Sequence, residues 1–219
     1  MQRYFIPQGS TNISELDQHH IKKVMRMKTG EQVIICQDQC YLVELTVDEK
    51  VTYRIIESLN KINKRHVVLV QGLPKHPKLE TTMKYATMAG VDTIICVPMH
   101  HSMIKDMPSE NKIQRYQMIA KEAAELAHRD DIPTIVFKKS IKDIELLPNT
   151  YVFDEKSQDI IQDQSIEPVM IIIGPEGGLH DEERHYLLTK GVKNRSLGPL
   201  IYSSEIAGVL AIQTLMTFL

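Results

Sequence analysis

Two stretches near the carboxyl end carry residue types and spacings from which chemistry can be built. In IIIGPEGGLHDEE (171–183) an apolar run ends in a loop holding Gly174, Pro175, Glu176, Gly177 and Gly178, and a helix-forming run follows. Glycines at such a bend let backbone amides and carbonyls approach a ligand closely. A plain turn before a helix has the same spacing. A phosphate cradle is the first functional expectation, but neither Gly-Lys-Ser/Thr nor GxGxxG is present. Asp181, Glu182 and Glu183 fill the first turn of the following helix, where they complement its positive end and repel a phosphate. A neutral or cationic ligand suits the loop better: a purine edge can use the amides, and a sulfonium tolerates carboxylates nearby. In SLGPLIYSSE (196–205) a second Gly-Pro bend precedes a helix. Ser203 and Ser204 read as its N-caps. Glu205 either complements the helix dipole or faces a ligand. Two such bends at successive strand ends can close around one flat ligand.

Other chemistries lack their residues. His19-His20 and His100-His101 are adjacent pairs that a helix splays and a strand points oppositely, and His180 and His185 do not form HExxH, so no metal site is expected. No GxSxG elbow marks a serine hydrolase. Cys36, Cys40 and Cys96 are too few, and odd in number, for a disulfide framework; the expectation is buried free thiols in a reducing compartment.

The elements that must position these bends divide the chain in two. Up to residue 66, HHIKKVMRMKTGEQ (19–32) reads as a short amphipathic helix, followed by three strand-like runs, QVIIC (32–36), YLVELTV (41–47) and VTYRIIES (51–58). KINKRH (61–66) is polar and basic and reads as a linker. Beyond it the pattern alternates. Strands are expected at 67–72, 92–98, 133–137, 150–153 and 168–174, and helices at 76–90, 109–128, 181–190 and 204–219. Short, continuous, β-branched runs of this kind belong to a mostly parallel sheet covered on both faces, so the fold class is α/β. The closing run, with Ile206, Val209, Leu210, Ile212, Leu215, Met216, Phe218 and Leu219, is apolar nearly all round and must be buried, in a core or at a subunit interface.

The chain has 219 residues, 42% of them apolar and 25% charged, which excludes disorder and any need for a stapling disulfide or metal. A formal charge of −2 excludes a uniformly basic binder, but the charge is uneven. Residues 61–84 carry a net +5, residues 19–28 add Lys22, Lys23, Arg26 and Lys28, and residues 154–183 carry −8. One part of the molecule suits a polyanion and another does not, although ordinary solvated faces give the same pattern. No apolar run approaches the ~18 residues of a membrane span, and the first residues form no signal peptide, so a cytoplasmic location is expected.

RYFIP (3–7), HHIKKVMRMKTGEQV (19–33), GLPKHPKLE (72–80), KYATMAGVDTIICVP (84–98), RYQMIAKEAAE (115–125), IGPEGGL (173–179) and LGPLIYSSEIA (197–207) follow one another along the chain. In this combination the sequence resembles the ribosomal RNA small-subunit methyltransferase E family of the SPOUT superfamily. The resemblance covers essentially the whole chain. It implies a PUA-like RNA-binding β-barrel over residues 1–67 and a methyltransferase domain with a trefoil knot over residues 68–219. It further implies a homodimer formed through the C-terminal domain. The implied reaction is methylation of N3 of a uridine in 16S ribosomal RNA of the small ribosomal subunit, with S-adenosyl-L-methionine as cofactor. The implied cofactor contacts are Phe153 with Asp154, Ile173, Gly174, Pro175, Glu176, Gly177 and Gly178, then Leu197, Gly198, Pro199 and Ile201.

For catalysis the expectation is Glu205 as the group that orients the uracil or accepts its proton, with Ser203 or Ser204 donating to a uracil oxygen. Arg3, Lys22, Lys23, Arg26, Lys75 and Lys78 are the expected phosphate contacts. The chain departs from the family where GPRILRTET is usual: Leu200 and Ser203 stand in place of two arginines. Leucine cannot replace an arginine in phosphate or base recognition. A catalytically altered relative that only binds RNA is therefore the alternative, and a nucleotide-using enzyme on a related sheet a third.

Overall fold

The computed structural model describes residues 1–161 and 165–218. They form two compact units, Met1–Ile62 with Ala124–Asp131, and Asn63–Ala123 with Ile132–Leu219.

The first unit is built on a four-stranded sheet of β1 (Arg3–Phe5), β2 (Gln32–Cys36), β3 (Cys40–Val47) and β4 (Val51–Ser58), in that order. β1 runs parallel to β2, and the other pairs are antiparallel. Alternation along β2 and β3 buries Val33, Ile35, Val43 and Leu45 against Tyr4, Ile6, Ile13 and Ile21. The helix expected at 19–32 starts and ends earlier. α1 (Glu15–His19) begins at Ser14, whose hydroxyl accepts the Asp17 N–H at 3.1 Å, and a π-helical segment continues it to Val24. The serine cap fixes the start. The free-thiol expectation fails for Cys36 and Cys40, which form a disulfide. They are directly opposed in the β2–β3 register, so a hairpin supplies a proximity that counting cysteines does not reveal. Cys96 is a buried free thiol, and burial pushes its pKa up.

The second unit is a six-stranded, wholly parallel sheet covered on both faces. Its strands are β5 (Val67–Gly72), β6 (Thr93–Val97), β7 (Thr134–Phe137), β8 (Thr150–Phe153), β9 (Val169–Ile173) and β10 (Lys193–Arg195), in the order β10-β8-β9-β5-β6-β7. Adjacent residues face opposite layers. Val67, Leu69 and Ile171 join one core with Met83, Ala86, Ala211 and Ile212; Val68, Val70 and Ile172 join the other with Val97, Val152 and Leu187. The helices are α2 (Lys78–Met88), α3 (Glu110–Leu126), α4 (Asp181–Thr189) and α5 (Ser204–Leu215). α2 starts two residues later than expected, after Pro77, and stops where Gly90 takes φ +99°. α5 stops at Leu215 because Met216 turns extended, so the expected extension to the terminus does not form; Leu219 lies outside the described residues. Among the described residues, no helix is long and apolar enough to cross a membrane.

Candidate functional site: a three-loop cavity at the carboxyl ends of neighbouring strands

Because β10, β8 and β9 are parallel neighbours, the loops that follow them leave the same edge of the sheet. In open α/β sheets that edge is where ligands bind. The three loops enclose a cavity of about 900 Å³. Phe153 to Glu155 form one wall. Ile173, Gly174, Pro175, Glu176, Gly177 and Gly178 form the second. Leu197, Gly198, Pro199, Ile201, Ser203 and Ser204 belong to the third. The tip of the third loop is bare, with Ile201 85% exposed. Glu205 lies one residue beyond the wall.

Local packing dictates how the second loop is built. Gly72 at the end of β5 leaves room for this loop, since a Cβ there would sit 2.7 Å from the Pro175 nitrogen. Gly178 adopts φ +68°, a conformation that side chains other than glycine's rarely take. The loop then enters α4 through a capping box. His180 accepts the Glu182 N–H through its side chain, and Glu183 accepts the His180 N–H at 2.9 Å. Asp181, Glu182 and Glu183 occupy the first turn of α4, which keeps this helix end unsuited to phosphate.

A buried polar link joins the second and third loops. Ser204, at the start of α5, donates its hydroxyl to the Gly174 carbonyl at 2.6 Å and accepts from Gln71 Nε2 at 2.7 Å. Ser203 is the N-cap residue, but its side chain makes no capping hydrogen bond. Gln71 is fully buried in β5 and is absent from the site residues expected from sequence, although a lone amide at the end of the apolar run VVLVQG marks it.

The first wall is anchored by a buried ion pair. Arg184 Nη2 lies 3.2 Å from Asp154 Oδ1, while its Nε engages Oδ2. Burial acts to raise the Asp154 carboxyl, but Arg184 and the Lys156 N–H outweigh it and hold the pKa below the usual aspartate value. The Asp154 carboxylate is therefore ionised at neutral pH.

Lys78, the first residue of α2, also lines the cavity. Its ammonium lies 3.3 Å from Glu205 Oε2 and 3.7 Å from Glu176 Oε1. Burial acts to raise the Glu205 carboxyl, but its own backbone N–H, Ser203 and Lys78 hold it below the ordinary glutamate range. The other expected cations are dispersed. Arg3 is half-buried and donates to the Arg129 carbonyl, and Lys22 Nζ donates to the Glu49 carbonyl at 2.6 Å. Lys23, Arg26 and Lys75 are exposed. Among the described residues, no cluster of histidine, cysteine and acidic side chains is arranged to hold a metal.

A family profile described as an RNA methyltransferase domain matches residues 61–216, and one described as an RNA methyltransferase PUA domain matches residues 14–57. The chain is similar to the ribosomal RNA small subunit methyltransferase E of Bacillus subtilis (strain 168), at 32% identity over 98% of this chain and 96% of the relative. The enzyme of the same name from Mesomycoplasma hyopneumoniae (strain 232) is 29% identical over 95% of this chain and 96% of its own. The solved ribosomal RNA small subunit methyltransferase E from Neisseria gonorrhoeae, bound to S-adenosyl methionine, shares the fold with a TM-score of 0.84 at 19% identity, covering 97% of this chain and 95% of that one. The profile over residues 61–216 and the whole-length likeness to the Bacillus subtilis protein show that the chain belongs to the ribosomal RNA small subunit methyltransferase E family of RNA methyltransferases.

Proposed function

We propose that the protein methylates N3 of a specific uridine in 16S ribosomal RNA of the small ribosomal subunit, using S-adenosyl-L-methionine as methyl donor. The observation that carries this reading is the cavity of about 900 Å³ between the three loops, whose wall holds Asp154, Glu155 and Glu176 against Lys78, with Arg184 behind the wall pairing Asp154 and Glu155, so that carboxylates still outnumber cations. A wall of that charge suits a cationic sulfonium and opposes a phosphate. Its volume is that of a small-molecule site. The backbone edges of Gly174, Gly177 and Gly178 suit an adenine, and Phe153, Ile173, Leu197, Pro199 and Ile201 supply apolar contact.

When bound, the cofactor supplies a methyl group already activated on sulfur. The chain must then position the uracil, help it lose its N3 proton and exclude water. Glu205, held ionised, accepts a hydrogen bond from N3–H and orients the base toward the methyl. Ser203, whose hydroxyl bonds Glu205 in the free protein, turns to donate to a uracil oxygen. Ser204 is committed to Gly174 and Gln71, so it holds the two loops at their working separation. The target uridine leaves its stack to reach the cavity. Lys22, Lys23, Arg26 and Lys75 hold backbone phosphates, and neutralising any one of them lowers the salt slope of RNA binding by about one. Arg3, Lys22 and Lys78 each already spend a donor within the protein and are the weaker phosphate ligands.

Residues 1–67 act in this reading as a PUA-like β-barrel that grips RNA. Residues 68–219 form the catalytic domain, with a trefoil knot among the segments that carry the loops, and the enzyme works in the cytoplasm. A homodimer formed through this domain belongs to the same reading. Calorimetric titration with S-adenosylmethionine tests the reading. Saturable heat with a rise in melting temperature is expected, and the absence of both would overturn it.

A further inference from the structure

We propose that Lys78 is a catalytic residue of this transfer: its ammonium faces the uracil and stabilises the negative charge that spreads onto a carbonyl oxygen as N3 loses its proton. The inference rests on the N3-methylation reading and deepens it. In the step, the N3–H bond breaks and its proton passes to Glu205. The nitrogen pair forms a bond to the methyl carbon while the carbon–sulfur bond breaks with its pair retained on sulfur. The uracil's negative charge and the sulfonium's positive charge cancel, leaving a methylated base and a neutral thioether.

The cavity that welcomes the sulfonium is hostile to the other partner. Asp154 and Glu155 on its wall are paired with Arg184 behind it, Glu176 opposes an anionic uracil, and the third loop, Ser196–Ser203, contains no basic residue. Among the described residues lining the cavity, Lys78 alone carries positive charge. Two carboxylates from different elements steer it, Glu176 from the second loop at 3.7 Å and Glu205 from α5 at 3.3 Å. Neither contact consumes the group. An ammonium has three N–H donors, and the side chain stays 36% exposed. Lys78 is also the first residue of α2, where the amino end of the helix adds to the positive potential. A preorganised cation aimed at charge that develops only during reaction accelerates the chemical step without tightening ground-state binding.

The test compares wild type, Lys78→Met and Lys78→Arg on small subunits reconstituted with 16S transcripts carrying either uridine or 5-fluorouridine, whose N3 is more acidic. Single-turnover rates, calorimetric affinity for S-adenosylmethionine and a fluorine-NMR titration of the fluorinated uracil bound with S-adenosylhomocysteine are measured. For Lys78→Met the expected loss is about 100-fold in rate on uridine, with cofactor affinity retained. That deficit narrows to about 10-fold or less on 5-fluorouridine, Lys78→Arg restores most of the rate, and the bound fluorouracil ionises at higher pH than in wild type. An equal deficit on both substrates, or an unchanged ionisation of the bound base, makes Lys78 a strut between the loops and overturns the inference. An undiminished rate also overturns it. If wild type yields no N3-methyluridine, the parent reading fails instead, and that outcome is seen in the control alone.

Discussion

Replacing Arg184 by methionine removes the partner of a buried carboxylate while keeping most of the side-chain volume. Asp154 is almost fully buried and receives two hydrogen bonds from Arg184, while the Lys156 N–H, at 3.2 Å, and a contact with Glu155 remain to it in the variant. Breaking a buried pair on one side costs roughly 3–5 kcal/mol. Arg184 is itself slightly wet and one donor survives, so the low end applies, about 3 kcal/mol at pH 7. For a chain of this size that lowers the melting temperature by roughly 6–12 °C. The pH dependence carries a definite sign. In wild type the Asp154 pKa lies below its unfolded value, so its contribution is fully present above about pH 4 and is lost as pH falls through the folded pKa. In Arg184→Met burial dominates and the carboxyl rises above its unfolded value, so the variant recovers stability as acid protonates Asp154. The deficit measured by urea unfolding therefore shrinks between pH 7 and pH 4.5. The double variant Asp154→Asn/Arg184→Met is less destabilised than Arg184→Met alone. A deficit that stays constant with pH, or a double variant whose losses simply add, would refute the electrostatic account of this wall.

Three further perturbations probe the loops. Ser204→Ala removes two buried hydrogen bonds and is expected to cost about 1–3 kcal/mol in urea unfolding and to weaken cofactor binding by calorimetry; unchanged affinity would detach Ser204 from the site. Gly72→Ala drives a Cβ to 2.7 Å from the Pro175 nitrogen and 2.8 Å from Met99 Sδ, so a destabilisation of roughly 1–3 kcal/mol with impaired cofactor binding is expected; a wild-type melting temperature would show that the loop yields freely. Glu205→Gln keeps the shape but not the charge, and its single-turnover methylation rate is expected to fall by about 100-fold or more; a wild-type rate would remove Glu205 from the mechanism.

The strands of the parallel sheet were legible because they are unbroken β-branched runs, and only a sheet covered on both faces tolerates such runs. Gly174 to Gly178 and Leu197 to Ile201 were legible as bends for a related reason, since glycine and proline interrupt the pattern at strand ends. Arg3–Phe5 escaped detection because three residues carry no period, and the strand exists only through its pairing with β2. The Cys36–Cys40 bridge depended on hairpin register in the same way. Lys78 read as one more phosphate ligand in a basic stretch. Its neighbours Glu176 and Glu205 lie far along the chain and reach it because β9 pairs with β5 and α5 packs on α2. The Asp154–Arg184 pair likewise joins a strand end to a helix that the local pattern does not connect.

Small ribosomal subunits prepared without their native modification at this position provide the most direct test. They are incubated with the protein and methyl-labelled S-adenosylmethionine, and the 16S RNA is digested to nucleosides for mass spectrometry. The account predicts label in N3-methyluridine at one site, released with one equivalent of S-adenosylhomocysteine. Label in a different nucleoside, or none while the cofactor binds, would contradict it.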